Sequence, residues 1–433
     1  MTRHRSSRSR GPGSETGSGF LRSSPSTADS RSTGSRARTP APSGPPPELV
    51  STQEAFDDLV AELQKVDEFA IDTEFHRERS YYPHLALVQV AWADGLVLVD
   101  PLAVDVSGFS QVFKTDTLAV LHAADQDLEV LERACGAVPS RIFDTQICAG
   151  FLGYSSPSLF TLTESLLHIR LHKGDQLTDW MRRPLSDTQL AYAAGDVANL
   201  LELKRLITER LASTGRTEWA AEECALLLAK DRSDVVAEEA WWKLPHGRQL
   251  RGASRGVAQE VAAWRERRAR SLDLPVRFVI SDLAVLSIAQ RPPTSREELL
   301  RTRGVDARHL SGPAGGELLD AVKKGTELAP SALRLPASQP FEHPNRPVVS
   351  LASAYAGQRA SELQIDPAIL ATRADLVAFF QERPGGRLAS GWRCGLLGAS
   401  LRRLADGEAS LAFDGADALV LEERSHRPLS HDG

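Results

Sequence analysis

Residues 69–76 read Phe-Ala-Ile-Asp-Thr-Glu-Phe-His. Phe69-Ala70-Ile71-Asp72 is an apolar run that reads as a strand, and it ends in two acids, Asp72 and Glu74, with one residue between them. Side chains alternate along a strand, so both carboxylates fall on one face. Downstream, Leu85–Trp92 and Leu96–Asp100 read as two further strands around an Asp94-Gly95 turn, which is a hairpin signal. Leu118-Ala119-Val120-Leu121 has the unbroken apolar character of a buried parallel strand, and a helix from Gln126 to Ala134 follows it. Upstream, Thr52-Gln53-Glu54-Ala55 opens a helix running to about Lys65. Helices dominate after 144, and the capping-box residues Ser186-Asp187-Thr188-Gln189 start a long one toward Leu211. This order predicts an α/β fold with a mixed sheet flanked by helices.

The chain has 433 residues, which predicts two or three domains. Its 42% hydrophobic and 25% charged residues exclude a wholly disordered chain. The apolar runs are short and broken by charges, so no membrane span is expected. Cys135, Cys148, Cys224 and Cys394 lie far apart without paired spacing. That excludes a disulfide framework and a cysteine zinc site, and it suits a reducing cytoplasm. The net charge of −6 conceals a segregation: 51–213 carries −12, whereas 1–50 and 235–325 each carry +5. Residues 1–48 are Ser, Arg, Gly, Thr and Pro with almost no large apolar side chain, and read as a disordered basic arm. The α/β domain occupies 49–230 and an all-helical domain 235–325. A Pro-rich linker follows over 326–348, then a C-terminal helical domain over 349–425 that includes the alternation Leu411-Ala412-Phe413.

Five polar residues stand where packing alone does not call for them. Asp72 and Glu74 end a strand, Asp127 starts the helix after Leu121-His122, and Tyr192 and Asp196 are four apart on one helix face. Open α/β sheets bind ligands at the carboxyl ends of their strands, where the first three fall. Four clustered carboxylates repel one another strongly. A pair of divalent cations removes that repulsion, and hard oxygen ligands suit Mg²⁺ or Mn²⁺ rather than zinc. Each residue alone also has an ordinary reading: Asp127 as a helix N-terminal acid, Asp196 as a solvated position, Tyr192 as core.

Ile71-Asp72-Thr73-Glu74-Phe75, with Tyr81-Tyr82-Pro83 and Leu87-Val88-Gln89, resembles the first motif of the ribonuclease D family. Leu121-His122-Ala123-Ala124-Asp125-Gln126-Asp127-Leu128 resembles the second, and Asp179-Trp180, Arg183-Pro184-Leu185 and Tyr192-Ala193-Ala194-Gly195-Asp196 resemble the third with its lead-in. The likeness covers about 51–230 and falls in the tyrosine branch of the DEDD exonuclease superfamily. It implies an RNase H-like mixed sheet, two metal ions held by Asp72, Glu74, Asp127 and Asp196, and a water oriented by Tyr192 with help from Glu74. It implies removal of 5′ mononucleotides in the 3′→5′ direction. Lys173-Gly174 and Thr178 stand where the family often has Lys-Ser and Ser, and His76 where other residues are commoner. Asp144, in Phe143-Asp144-Thr145-Gln146, also matches a family position, with a structural role expected. His122 is expected to be packed or hydrogen-bonded, since the ions prefer oxygen. Lys173 and Arg183 are candidate contacts to substrate phosphates, with ordinary surface charge as the alternative.

Residues 235–325 resemble the helicase-and-RNase-D C-terminal (HRDC) domain, on Arg265-Glu266-Arg267-Arg268-Ala269-Arg270, Leu272-Asp273-Leu274-Pro275, Val279-Ile280-Ser281-Asp282, Gly304-Val305 and Val322-Lys323-Lys324-Gly325. The likeness implies nucleic-acid binding, with Arg265, Arg267, Arg268 and Arg270 expected along one exposed helix. The C-terminal domain, with Gly391-Trp392-Arg393 and Leu396-Leu397-Gly398, resembles a second, diverged copy. The expected function is a cytoplasmic, metal-dependent 3′→5′ exoribonuclease acting on the 3′ ends of tRNA precursors or other structured RNA. Two alternatives stand beside it: the same chemistry on DNA, and a non-catalytic nucleic-acid-binding protein.

Overall fold

The computed structural model describes residues 47–171, 178–335, 346–382 and 385–426. The predicted disordered arm lies, up to residue 46, outside the described residues, as do residues 336–345 of the Pro-rich linker. Six strands form one sheet: β1 (Glu48–Val50), β2 (Glu68–His76), β3 (His84–Trp92), β4 (Gly95–Val99), β5 (Leu118–Leu121) and β6 (Arg141–Asp144). Their order is β1-β4-β3-β2-β5-β6, with β2, β3 and β4 antiparallel and the outer pairings parallel, so the sheet is mixed as expected. Its helices are α1 (Gln53–Leu63), α2 (Phe109–Phe113), α3 (Asp125–Cys135), α4 (Thr145–Gly150), α5 (Leu159–Leu162), α6 (Asp187–Ala198), α7 (Leu200–Ser213) and α8 (Thr217–Leu228).

The long helix expected from Ser186 to Leu211 is two helices. Asn199, at φ −113° and ψ 0°, ends α6 and begins α7. Asn is a weak helix former because its amide competes with the helical backbone. The capping box at Ser186 is present, with Ser186 and Gln189 each bonding the other's backbone. It fixes the register of α6 over β2, β3 and β4. There α6 covers a small separate core of Ala86, Leu87, Leu98, Trp180, Leu185 and Ala193.

A second helical body follows: α9 (Ala253–Leu272), α10 (Val276–Val279), α11 (Asp282–Gln290), α12 (Arg296–Arg301) and α13 (Ala314–Thr326). Its core is its own, built on Val257, Val261, Ile288, Leu299 and Leu318, and α9 runs through its centre against α10, α11 and α13. The chain resumes in α14 (Arg346–Leu363), α15 (Pro367–Leu370), α16 (Arg373–Phe380), α17 (Gly391–Arg393) and α18 (Ala399–Ala405). A hairpin of β7 (Ala409–Phe413) and β8 (Leu419–Glu423) closes it, so the alternation at 411–413 is a strand. This last segment packs into the core of the sheet domain: Val349, Tyr355, Leu370, Trp392 and Leu401 belong to the same buried cluster as Phe56, Ile71 and Leu128.

Candidate active site

The pairing of β2 places its two acids. On one side β2 runs antiparallel to β3, with Asp72 opposite Gln89 and Glu74 opposite Leu87, and the register shifts just after Glu74. On the other side β2 meets β5 only over Glu68–Ala70. Beyond Ala70 that edge has no strand partner, and the first turn of α3 approaches it. The Thr73 hydroxyl donates to Asp127 Oδ1 at 2.5 Å, which pins the third acid beside the first two. The turn into α3 holds Ala123 at φ +58°, a strained conformation for a residue with a Cβ. The buried Asp144 carboxylate stabilises it by accepting from the Ala123 and Ala124 N–H groups at 3.2 and 2.8 Å. Asp144 also caps α4, accepting from Gln146 and Ile147, so its structural role is plain.

Helix α6 brings the remaining pair. Tyr192 and Asp196 share a helix face, and a hydrogen bond from Tyr192 favours the charged Asp196. The Tyr192 ring leans on Trp180, with centroids 6.1 Å apart. All five residues singled out in the sequence therefore converge from three stretches of chain.

The electrostatics are those of an acid cluster without a counter-charge. Asp72 is pushed well above the ordinary carboxylate range by burial and then by the charges of Asp127, Asp196 and Glu74. Burial, with Asp196 and Asp127, takes Glu74 to about 8. Burial takes Asp196 to about 7 and Asp127 to about 6, the latter held back by its bond from Thr73. Among the described residues no Lys or Arg offsets these acids. Nor do three His, Cys, Asp or Glu side chains there form a ready-made metal cage. Mg²⁺ does not demand one, because it retains waters and shares its coordination between a few carboxylates and substrate phosphates. The donor set, hard, anionic and uncompensated, fits such an ion.

Other candidates fall elsewhere. Lys173 lies outside the described residues. Arg183 is engaged within the protein: its Nε and Nη2 grip the Asp100 carboxylate at 2.7 and 2.6 Å, and the rest of the guanidinium donates to the Ala86, Trp180 and Arg182 carbonyls. Every N–H of the group is thereby used. The four arginines of α9 do not form an exposed track either. Arg265 is 4% exposed and bonds Asp282 at 2.7 Å. Arg267 pairs with Glu238 at 2.8 Å, Arg268 with Glu317 at 3.1 Å, and Arg270 donates to the Tyr81 hydroxyl at 2.9 Å. The reason is position: α9 is the central helix of its body, so its charges meet carboxylates from every side. Tyr81 and Tyr82 form the seam between the sheet domain and that body, and Asp273 accepts both of their backbone N–H groups. His122 is hydrogen-bonded to Thr145 at 2.9 Å, as expected. Three residues of the motif stretches had been given no role of their own and adjoin the five: Thr73 bonds Asp127, Trp180 packs on Tyr192, and Gln89 lies opposite Asp72 in the ladder. Gln89 had a signal, being the one polar side chain between Leu85 and Ala91.

Residues 47–212 match the 3′-5′ exonuclease family, and residues 254–322 match the HRDC domain. The chain is 34% identical to the ribonuclease D of Gluconacetobacter diazotrophicus over 387 residues, covering 88% of this chain and 98% of that one. It is 34% identical to the ribonuclease D of Serratia proteamaculans, covering 83% of this chain and 99% of that one. Among solved structures it resembles Escherichia coli RNase D, an exoribonuclease involved in structured RNA processing, with a TM-score of 0.77 and 30% identity over 83% of this chain and 99% of that one.

Proposed function

Since the chain belongs to the ribonuclease D family and is a metal-dependent 3′→5′ exoribonuclease, we propose that Asp72, Glu74, Asp127 and Asp196 hold two Mg²⁺ or Mn²⁺ ions and that Tyr192 orients the attacking water. Such ions, when bound, stabilise the attacking and leaving oxygens of a phosphodiester displacement. The remaining work belongs to side chains. Tyr192, hydrogen-bonded to Asp196, presents its hydroxyl to the water, and Glu74, the β2 acid nearest the strand end, shares in holding it. Trp180 backs the Tyr192 ring and limits its swing. The observation that carries this reading is the convergence of four mutually repelling carboxylates with no basic partner among the described residues. An uncompensated cluster of this kind is a place for cations.

The substrate is RNA, and we take the products to be 5′ mononucleotides released from the 3′ ends of tRNA precursors or other structured RNA. With Arg265, Arg267, Arg268 and Arg270 each held by a partner within the protein, the RNA path on the helical body is better assigned to the groove lined by His246, Leu286, Arg291, Pro292, Arg301 and Arg303. None of these three arginines is in an ion pair among the described residues, although Glu297 and Glu298 feel the charge of Arg301. No helix among the described residues is long and apolar enough to cross a membrane, and a cytoplasmic location suits the reduced cysteines. The test uses one RNA labelled at its 3′ or its 5′ end, with and without Mg²⁺. The 3′ label should appear at once as mononucleotide, and the 5′ label should shorten stepwise, only with metal. A 3′ label that persists while internal fragments form would overturn the direction, and equal decay of a matched DNA would overturn the substrate.

A further inference from the structure

Gln89 supplies two of the five buried side-chain polar atoms that lack a hydrogen-bond partner among the described residues, and Trp180 Nε1 is a third. Gln89 is 0% exposed. An unsatisfied buried amide is destabilising, and a methionine or leucine would fill the same apolar space without that cost. Such a group calls for an explanation in function. Its position gives one. Gln89 lies directly opposite Asp72 in the β2–β3 ladder and directly opposite Leu98 in the β3–β4 ladder. Directly opposed side chains share a face, with Cβ atoms about 5 Å apart. Leu87, two residues before Gln89, and Leu98 both belong to the small core under α6, together with Trp180. Gln89 therefore shares a face with Asp72, and its neighbours Leu87 and Leu98 belong to the core that holds Trp180, whose ring leans on Tyr192.

The three groups are complementary. The Trp180 indole is a donor only, the Asp72 carboxylate when charged an acceptor only, and the Gln89 amide is one of each. Catalytic hydrogen bonds are often open before the site is loaded and close when it is. We propose that Gln89 is a positioning residue: its Oε1 accepts from Trp180 Nε1, and its Nε2 donates to an Asp72 carboxylate oxygen when the site is loaded. The bond sets the orientation of Asp72 and couples it to the wall beside Tyr192. This rests on the reading of Asp72 as a metal-holding carboxylate.

The test measures Mn²⁺ affinity of the full-length protein calorimetrically, beside single-turnover rates. Gln89→Met keeps the shape and removes both polar atoms. It should weaken Mn²⁺ binding by about 10–100-fold, the usual effect of losing a partner behind a metal ligand. The rate should fall while KM for a short RNA stays unchanged, and the metal-free protein should unfold at the same or a higher temperature. Trp180→Phe should shift Mn²⁺ affinity in the same direction by less. The double variant should be no worse than Gln89→Met alone, because one chain of bonds serves both residues. Asp72→Asn is the reference. If it loses Mn²⁺ binding while Gln89→Met stays within about two-fold of the parent, against the larger loss expected of a metal-ligand partner, the role of Gln89 is overturned and the metal site stands. If Asp72→Asn itself keeps full affinity, the metal reading falls and this inference with it. Should Gln89→Met fail to fold, Trp180→Phe decides, and parental affinity there overturns the proposal.

Discussion

Arg270 Nε donates to the Tyr81 hydroxyl at 2.9 Å, and that hydroxyl in turn donates to Glu266. Two elements that read in the sequence as a motif flank and an RNA-binding stripe are thus a single joint between two bodies. Asp273 completes it by accepting from the Tyr81 and Tyr82 backbone and bonding His84 at 2.7 Å.

The joint predicts a division between two sets of arginines. Arg270→Gln should lower stability by about 1–3 kcal/mol, since it leaves partly buried partners without their donor. It should leave the salt dependence of RNA binding unchanged. Substituting Arg291, Arg301 and Arg303 with Gln should do the reverse, sparing stability and reducing the slope of log affinity against log salt by roughly 0.7 per lost phosphate contact. Denaturant unfolding and RNA binding across a salt series check both. A flattened slope for Arg270→Gln would return that residue to the RNA path.

The acid cluster predicts an unusual pH dependence for the metal-free protein. Glu74, Asp196 and Asp127 hold their protons to about 8, 7 and 6 in the folded chain, against ordinary values of 4.5, 3.8 and 3.8. Between roughly pH 4 and pH 8 the folded chain therefore binds more protons than the unfolded one, so these groups make stability fall as pH rises through that window. The unfolding temperature in a chelator should decline from pH 5 to pH 8, and Mg²⁺ should flatten the decline. Asp196→Asn should flatten it without metal while lowering turnover by several orders of magnitude. Parallel pH curves for the variant and its parent would contradict the origin assigned to the decline.

Tyr192→Phe should reduce the maximal rate by about 10²–10⁴-fold, the range of lost positioning and acid–base groups, with little change in KM. Asp196 also loses the hydrogen bond that favours its charged form, so the acid limb of the rate profile should move to higher pH. Single-turnover rates from pH 6 to 9 give both readings. An unchanged profile would assign Tyr192, like Trp180, to the wall.

The central strands and the five converging residues were legible because their signals are local: apolar runs, a turn, a capping box, and two acids one residue apart, although β2 continues past them to His76. What was missed depends on distant partners. Strand β1, Glu48–Val50, is too short to show a period, and it exists because β4 offers it a parallel edge. The charge of α9 was visible, but its carboxylate partners lie as far away as Glu238 and Glu317. Cys148 and Cys224, 76 residues apart, meet with sulfurs 3.9 Å from each other, a proximity that spacing along the chain does not encode. The break at Asn199 is local, yet one weak helix former does not distinguish a break from a tolerated residue.

The boundary at the C-terminal segment is the other place where linear reading stops short, and it yields the last prediction. Arg393 is 1% exposed and donates to Glu223 of α8 and, at 2.9 and 2.7 Å, to the Ile369 carbonyl. Glu223 also receives Arg387 at 3.1 Å and the Trp392 indole at 3.3 Å, while Trp392 stacks on Trp219 with centroids 5.2 Å apart. The charges of the last segment are thus neutralised by the sheet domain, and its aromatic core is shared with it. Glu223→Ala should cost about 3–5 kcal/mol, because it leaves a buried guanidinium without its counter-charge. Replacing the pair together, as Glu223→Leu with Arg393→Met, should restore much of that loss, since the apolar surroundings tolerate an uncharged pair better than a broken one. A chain ending near Ser233 should unfold at markedly lower denaturant than the full chain, because Phe151 and Trp219 lose Trp392 as their cover. Equal midpoints for the truncated and full chains would mean that the sheet domain is complete without the segment that packs into its core.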